Sequence, residues 1–511
     1  MIPEWVQFNW LTICIAVIPL IYLYLTWNYN YWKKRNVAFV KPQLIFGNYK
    51  EVFLQKRTVS EVMEDIYKKL DGKPFVGFWR FRTPGILVRD PEMVKTVMVK
   101  DFHSFQDNAL IVDPKMDPLL AKNPFFVSGE KWKNMRSVLS PSFTSGKLKP
   151  LLPLMEGVCE ELLEYLRAAA PASAPDGIEA SLTAFKYTVE MVARCALGIK
   201  GNNFTDSEGH LRTMVRRIVS PGFWKNIEFM ILNFLPSMGS FLHLSWMPRD
   251  VDLFFTKIVT DEMDYRKKNN VIRPDYLQYL INMSKKENGV AYTEADALGH
   301  AVTFLTEGSE TSSITLGFAW YELARHPAVQ EELRQEVAAA RGANGGRLPF
   351  EALMELPLLD QVLQETLRLH APLMAMEKTC TRATELRGAD GVACRVEPGT
   401  LVVIPVRALH HDPAFYPEPL RFDPGRWAPG NRERLVKYTY LPFGEGPRIC
   451  LGMRFAQLQV KLALAYVVEK FDIKTTPKTP NPVVQDPTYF LTCAKGGLWL
   501  RFEERKSSNS E

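Results

Sequence analysis

The sequence predicts a mainly α fold with small β-sheets to one side, built around one long central helix and preceded by a hydrophobic helix. Helical periodicity carries the prediction: from Thr293 no breaker appears until His326-Pro327, so residues 294–325 form a single rod of about 48 Å. Amphipathic spacing recurs near 147–170, 179–199 and 207–219. Strand signals are few and late, around 394–406 and 488–502.

The hydrophobic helix comes first. Residues 5–27, WVQFNWLTICIAVIPLIYLYLTW, contain no Asp, Glu, Lys or Arg and have the length of a bilayer span. Aromatic residues crowd both ends as at a membrane interface, although Gln7 and Asn9 weaken the start and Pro19 kinks the middle. No small-residue cleavage site follows, which favours a retained anchor over a removed signal peptide. Glu4 precedes the span and Lys33, Lys34 and Arg35 follow it, so the positive-inside bias places the bulk of the chain in the cytoplasm. Residues 1–32 are therefore expected to be an N-terminal transmembrane anchor helix, 33–50 a basic hinge with Pro42 and Gly47, and 51–511 a single catalytic domain. A core or amphipathic helix is the alternative for the first segment, and residues 11–25 show no polar face to support it.

Composition sets the outer bounds. With 511 residues, of which 46% are hydrophobic and 23% charged, the chain can bury a large core, and no linker, charge block or repeat divides it. The net charge of +6 is spread along the chain, which argues against a nucleic-acid binder. Lys131, Lys133 and Arg136, and again Arg432, Arg434 and Lys437, either meet an acidic partner or form solvated faces. Seven scattered cysteines without a CxxC pair make neither a disulfide framework nor a zinc site.

Along the domain, GFWRFRTPGILV reads as a hairpin about Pro84-Gly85, followed by a helix after Asp90-Pro91. Residues 103–125 read as a long loop over a pocket, and GEKWKNMRSVL resumes helical spacing. The stretch 220–246 is unusually apolar for a connection: it is either core packing or a lid that dips into the membrane. TEAD at 293–296 is a capping box with Asp in the place of Glu.

PFGEGPRICLGMRFA carries the chemistry. Gly444, Gly446 and Pro447 make an irregular loop, and Phe455, Leu458, Leu462 and Ala465 then fall at helical spacing, which puts Cys450 at the entrance to a helix. Free N–H groups and the positive dipole end there are expected to lower the thiol pKa. The glycines allow the backbone to close on a large flat cofactor, and Arg448 offers a guanidinium to an anion. No GKS or GKT follows, so this is not a phosphate loop; a buried structural cysteine is the alternative.

FGEGPRICLG resembles the haem-binding signature of the cytochrome P450 monooxygenases, FxxGxRxCxG, matched by Phe443, Gly446, Arg448, Cys450 and Gly452. Further motifs follow the family's order along the chain, whose style is most similar to the microsomal, insect-like xenobiotic-metabolising branch. The resemblance implies the cytochrome P450 fold, with the long helix over a buried haem b (iron protoporphyrin IX), Cys450 as axial ligand of the iron, and Phe443, Gly444, Gly446, Arg448 and Gly452 around it. It makes Trp132 and Arg136 of WKNMR donors to a haem propionate, with Lys378 standing where many relatives carry an arginine. It also makes Glu365 and Arg368 of QETLRL, with Arg426 of PGRW, the triad that fixes the loop behind the haem. The family's PERF has Glu and Phe where this chain has Gly425 and Trp427, which leaves the role of the lost glutamate open.

The implied reaction inserts one oxygen atom from O2 into a lipophilic small molecule, a xenobiotic or an endogenous lipid or hormone, with Glu310 and Thr311 delivering protons. No GxGxxG-bearing βαβ unit is present, so the electrons are expected from NADPH through NADPH-cytochrome P450 reductase, with cytochrome b5 as a further donor. The implied location is the endoplasmic reticulum membrane, with lipid as a partner and the catalytic domain in the cytosol. A P450-fold isomerase or lyase acting on a peroxide without reductase, or a haem-binding sensor or carrier, would have less use for Glu310 and Thr311. By family position the pocket draws on residues near 103–125, 220–246, 302–306, 372–376 and 489–492, where Phe125, Phe126, Phe223 and Met374 imply an apolar cavity.

Glu307 fits the resemblance less well. It lies about 40° from Thr311 on the helical wheel and one turn before it, where most relatives have Ala or Gly. EGSET is similar to the EGxDT of fatty-acid ω-hydroxylases, whose glutamate becomes esterified to a haem methyl. Glu307 is accordingly expected either to form such an ester or to pair with a polar or cationic substrate group; otherwise it turns aside to Thr303 or Thr306.

Overall fold

A computed structural model describes residues 4–172, 176–206, 209–219, 222–285 and 292–506. The chain packs as two compact units, one made of Met1–Ala109 with Ala375–Ala408 and the other of Leu110–Met374 with Leu409–Glu511.

The first unit begins with α1, Glu4–Thr26, which has the expected helical length and contains Pro19. Ile15, Ile18, Leu20, Leu23 and Tyr24 on it are exposed. Among the described residues no helix is long and apolar enough to cross a membrane, so the transmembrane anchor is not shown. The apolar run is shortened by Gln7, Asn9 and Thr12 at its start. Beyond it the chain is docked rather than loose. Trp32 is fully buried, its indole N–H donating to the Phe78 carbonyl at 3.0 Å. The segment 33–50 runs beside β1, Phe75–Arg80, through the Phe39–Gly77 and Gly47–Arg80 bridges.

β1 pairs antiparallel with β2, Thr83–Val88; β2 pairs parallel with Leu401–Ile404, and that strand antiparallel with Met376–Thr379. In chain order the last two are β3, Met376–Thr379, and β4, Leu401–Ile404. The hairpin turns at Phe81-Arg82, three residues earlier than Pro84-Gly85 led us to expect. Pro84 and Gly85 are strand residues because Phe78 lies across Gly85, where a Cβ would stand 2.5 Å from its ring.

In the second unit the helices that position the site are α2, Gly129–Leu139, α3, Ala180–Val192, and α4, His210–Val219. α5, Glu294–Arg325, α6, Pro357–Leu369, and α7, Met453–Lys470, complete the set. α5 is the expected rod. Thr293 and Asp296 form both arms of its capping box, Ala297, Ala301, Leu305, Leu316, Trp320 and Leu323 are buried on it, and the helix packs against α3, α6 and α7. Gln459 of α7 ties the two helices where α5 carries its acids, donating to the Gly308 carbonyl at 2.9 Å and the Ser312 hydroxyl at 2.6 Å. β5, Phe471–Thr475, pairs with β6, Trp499–Glu504, in a small antiparallel sheet.

The apolar stretch 220–246 folds as helices Phe223–Phe234 and Pro236–Phe241, residues 220 and 221 lying outside the described set. The core alternative holds for part of the stretch, and other apolar residues in it are exposed. Leu232, Phe234 and Trp246 are core, whereas Trp224 and Phe241 are 78% and 79% exposed and Met238 and Leu242 are exposed beside them.

Candidate active site

The loop 442–452 is shaped by Gly444 and Gly446, both left-handed with φ +73° and +70°. It folds back so that the Cys450 amide donates to the Phe443 carbonyl at 2.8 Å. α7 starts at Met453, three residues after the cysteine, and the Gly452 and Met453 amides donate toward the sulfur. They lower the thiol pKa as expected of a helix start, but burial outweighs them and the thiol is pushed up to about 11, opposite to the expected direction. Cys450 nevertheless has exposed surface. Exposed surface on a desolvated group marks a side chain lining an enclosed hollow.

Arg448 is less open to an anion than its sequence setting implied, since its terminal nitrogens donate to the Pro124 and Val127 carbonyls at 3.1 and 2.7 Å. Its guanidinium lies 4.3 Å over the ring of Trp132, which is buried on α2. One turn further along α2, Arg136 is half-buried and makes no ion pair among the described residues. Burial holds its pKa below the ordinary arginine value, and its charge reaches Cys450.

Opposite chemistry comes from α5. Glu307 has exposed surface, yet burial pushes its carboxyl up to about 7, and its charge is felt at Cys450, which places both at one hollow. Its partner is neither Thr303 nor Thr306, whose hydroxyls donate to helix carbonyls at Gly299 and Val302. Instead Asn123, 1% exposed, donates its side-chain N–H to Glu307 Oε1 and accepts the Phe125 amide at 2.7 Å. Glu310 is also pushed up to about 7 by burial, with the Arg216 charge opposing, and its Oε2 is buried without a hydrogen-bond partner. Thr311 donates its hydroxyl to the Glu307 carbonyl at 2.8 Å.

Glu365 and Arg368 on α6 are wholly buried and doubly bonded, Nε to Oε2 and Nη2 to Oε1, each at 2.8 Å. Arg426 Nε lies 3.3 Å from Glu365 Oε1, so the triad is brought together. Two further donors were not foreseen: the Trp427 indole N–H at 3.0 Å from Oε2 and the Asp423 amide at 3.0 Å from Oε1. Trp427 thus adds a donor to the carboxylate that a phenylalanine could not supply. Lys378 lies in the first unit on β3, where Nζ donates to Asn108 at 2.8 Å.

A cysteine with exposed surface within electrostatic reach of an acid-bearing helix, in a unit that also holds a wholly buried Glu–Arg pair, is compatible with a haem-thiolate site. The sequence profile of the family described as Cytochrome P450 matches residues 38–501. Probable cytochrome P450 28d1 of Drosophila melanogaster is 36% identical over 503 residues, 97% of this chain and 98% of that protein. Cytochrome P450 6k1 of Blattella germanica is 34% identical over 512 residues, 96% of each, and cytochrome P450 9e2 of the same organism is 33% identical over 525 residues, 97% of this chain and 98% of that protein.

The chain belongs to the cytochrome P450 family. It is an enzyme, a monooxygenase of the oxidoreductase class, and the family implies haem as cofactor. The residues present fit that group. Cys450 has exposed surface, Gly452 has open space where a Cβ would stand, and Arg136 is a desolvated cation with no carboxylate partner among the described residues, a setting that suits a propionate.

Proposed function

We propose that the chain is a membrane-associated monooxygenase that inserts one oxygen atom from O2 into a lipophilic small molecule, drawing electrons from NADPH through NADPH-cytochrome P450 reductase. Glu310 carries the reading: burial pushes its carboxyl up to about 7, one of its oxygens has no hydrogen-bond partner among the described residues, and Thr311 follows it in the chain. That is what proton delivery into a dry pocket needs.

Bound haem supplies iron whose thiolate ligand favours O–O cleavage. Cys450 would hold that iron and Trp132 and Arg136 would hold a propionate, while Arg448 fixes the cysteine loop to the 124–127 turn. Glu310 holds a proton at Oε2 and passes it to the Thr311 hydroxyl. Glu365, Arg368 and Arg426 keep the chain behind the site in register. Glu307, held by Asn123, would either be joined as an ester to a haem methyl, a two-electron oxidation with O2 or peroxide turnover as the oxidant, or meet a polar or cationic group of the substrate. The exposed apolar residues of α1 and of 224–242 support attachment to the endoplasmic reticulum membrane, with the catalytic part in the cytosol.

A reduced carbon monoxide difference spectrum tests the thiolate: folded protein should give the far-red-shifted band and Cys450→Ala should lose it. Added reductase should then couple NADPH consumption to oxygenated product. Turnover of a peroxide with no need for reductase would overturn the reading. Haem that extracts completely into acidified solvent would exclude the ester at Glu307.

A further inference from the structure

α4 brings a second charged group toward Glu310. Arg216 Nη2 donates to the Tyr489 hydroxyl at 3.1 Å, and the turn carrying Tyr489 is pinned behind α6. There the Thr492 amide donates to the Pro372 carbonyl at 2.9 Å and its hydroxyl to the Ala371 carbonyl at 2.6 Å. The adjacent Arg217 is neutralised by both oxygens of Asp250. Arg216 makes no ion pair among the described residues, although it is desolvated and its charge reaches Glu310.

Arg216 has exposed surface and is partly desolvated, on a helix that packs against the one carrying Glu310. The Tyr489 hydrogen bond and the Glu310 and Glu179 charges outweigh that desolvation and keep the guanidinium charged, so a carboxylate that met it would gain a charge-assisted bond. Only one of its N–H groups is engaged, and the rest of the fork is open to a bidentate acceptor. By accepting from Arg216, the Tyr489 oxygen keeps its own proton available, so guanidinium and phenol together present donors to one carboxylate.

We propose that Arg216, positioned by Tyr489, is the recognition group for a carboxylate on the substrate, and that the site prefers lipophilic acids over their neutral counterparts. The proposal deepens the monooxygenase reading and rests on it for what happens to the bound acid, although the binding preference can be measured without turnover. It has one consequence for Glu310. Arg216 is the charge that draws the Glu310 pKa down, so an anion seated on Arg216 offsets that pull and keeps Glu310 protonated while substrate is present.

The test uses the full chain and two acid–ester pairs, dodecanoic acid with methyl dodecanoate and biphenyl-4-acetic acid with its methyl ester. Equilibrium dialysis reads affinity without reference to the haem, and the ferric spin-state shift reads it at the haem. In the wild type each acid should bind at least about tenfold more tightly than its ester, the size expected of a charge-assisted bond. Arg216→Gln should abolish the difference, Arg216→Lys should retain part of it, and Tyr489→Phe should weaken acids while leaving esters unchanged. Equal affinity of acid and ester, an acid preference that survives Arg216→Gln, or binding by neither acid would overturn the proposal. Failure of the monooxygenase reading shows separately, as a missing thiolate band in protein that still passes the dialysis test.

Discussion

Glu307 and Glu310 share a helix and a direction of pKa shift, yet Asn123 meets one while the other has an oxygen without a partner. Both carboxyls rise from an ordinary 4.5 to about 7 by burial. A carboxyl whose folded pKa is raised contributes its stability in full below the ordinary 4.5 and loses it as pH climbs through about 7. Glu310→Gln, which cannot ionise, should therefore melt higher than wild type at pH 8 by the equivalent of roughly 1–3 kcal/mol, with the gap closing toward pH 5. Differential scanning fluorimetry at both pH values decides it, and a variant less stable than wild type at pH 8 counts against the assignment. Coupling of NADPH to product should decline above pH 7 in the wild type, as Glu310 loses its proton, and stay low and flat in the variant. Asn123→Ala strands the Glu307 carboxyl at a cost of about 1–3 kcal/mol, and adding Glu307→Ala should recover most of it in a double-mutant cycle. Additive losses would mean the pair is uncoupled. Cys450, the two acids and the Glu365–Arg368 pair were legible because each sits in a local pattern. Asn123, 184 residues from Glu307, and Arg216, 273 residues from Tyr489, were not, since their roles exist only where the fold joins distant segments.

At the level of elements, what was legible depended on whether the deciding contact was local. α5 could be read to its ends because Thr293, Asp296 and the His326-Pro327 breaker act within a turn of the boundary they set. The hairpin was misplaced because Pro-Gly normally marks a turn, and only the ring of Phe78 lying on Gly85 shows that this pair belongs to a strand. Gly85→Ala puts a Cβ into that ring at 2.5 Å and should cost about 1–3 kcal/mol of stability. Thr293→Ala, which removes one arm of the capping box, should cost only about 1 kcal/mol. Chemical denaturation of the two variants should keep this order; a silent Gly85→Ala would mean that the strand yields where we place a rigid contact.

For the molecule as a whole, composition pointed to one large core, but the first unit is completed by Ala375–Ala408, a return that no linker or composition shift announces. Each unit also carries its own exposed apolar surface: α1 with Trp27 in the first, Trp224, Met238, Phe241 and Leu242 in the second. Exposed aromatic and aliphatic groups of this size are what a lipid interface buries. If both surfaces meet lipid, removing either should weaken binding and removing both should end it. The cut must fall after residue 27 and not after 32, because the Asn28 carbonyl accepts the Trp79 indole and Trp32 fills the first unit's core. A chain starting at Asn28 should still sediment with phospholipid vesicles, more weakly than the full chain. Trp224→Ser with Phe241→Ser in that shortened chain should lower vesicle affinity by a further factor of about 30 or more, at roughly 1–2 kcal/mol for each aromatic side chain withdrawn from lipid. Complete release of the shortened chain before those substitutions would assign all attachment to α1, and undiminished sedimentation of the full chain carrying Trp224→Ser and Phe241→Ser would show that the 224–242 surface faces water.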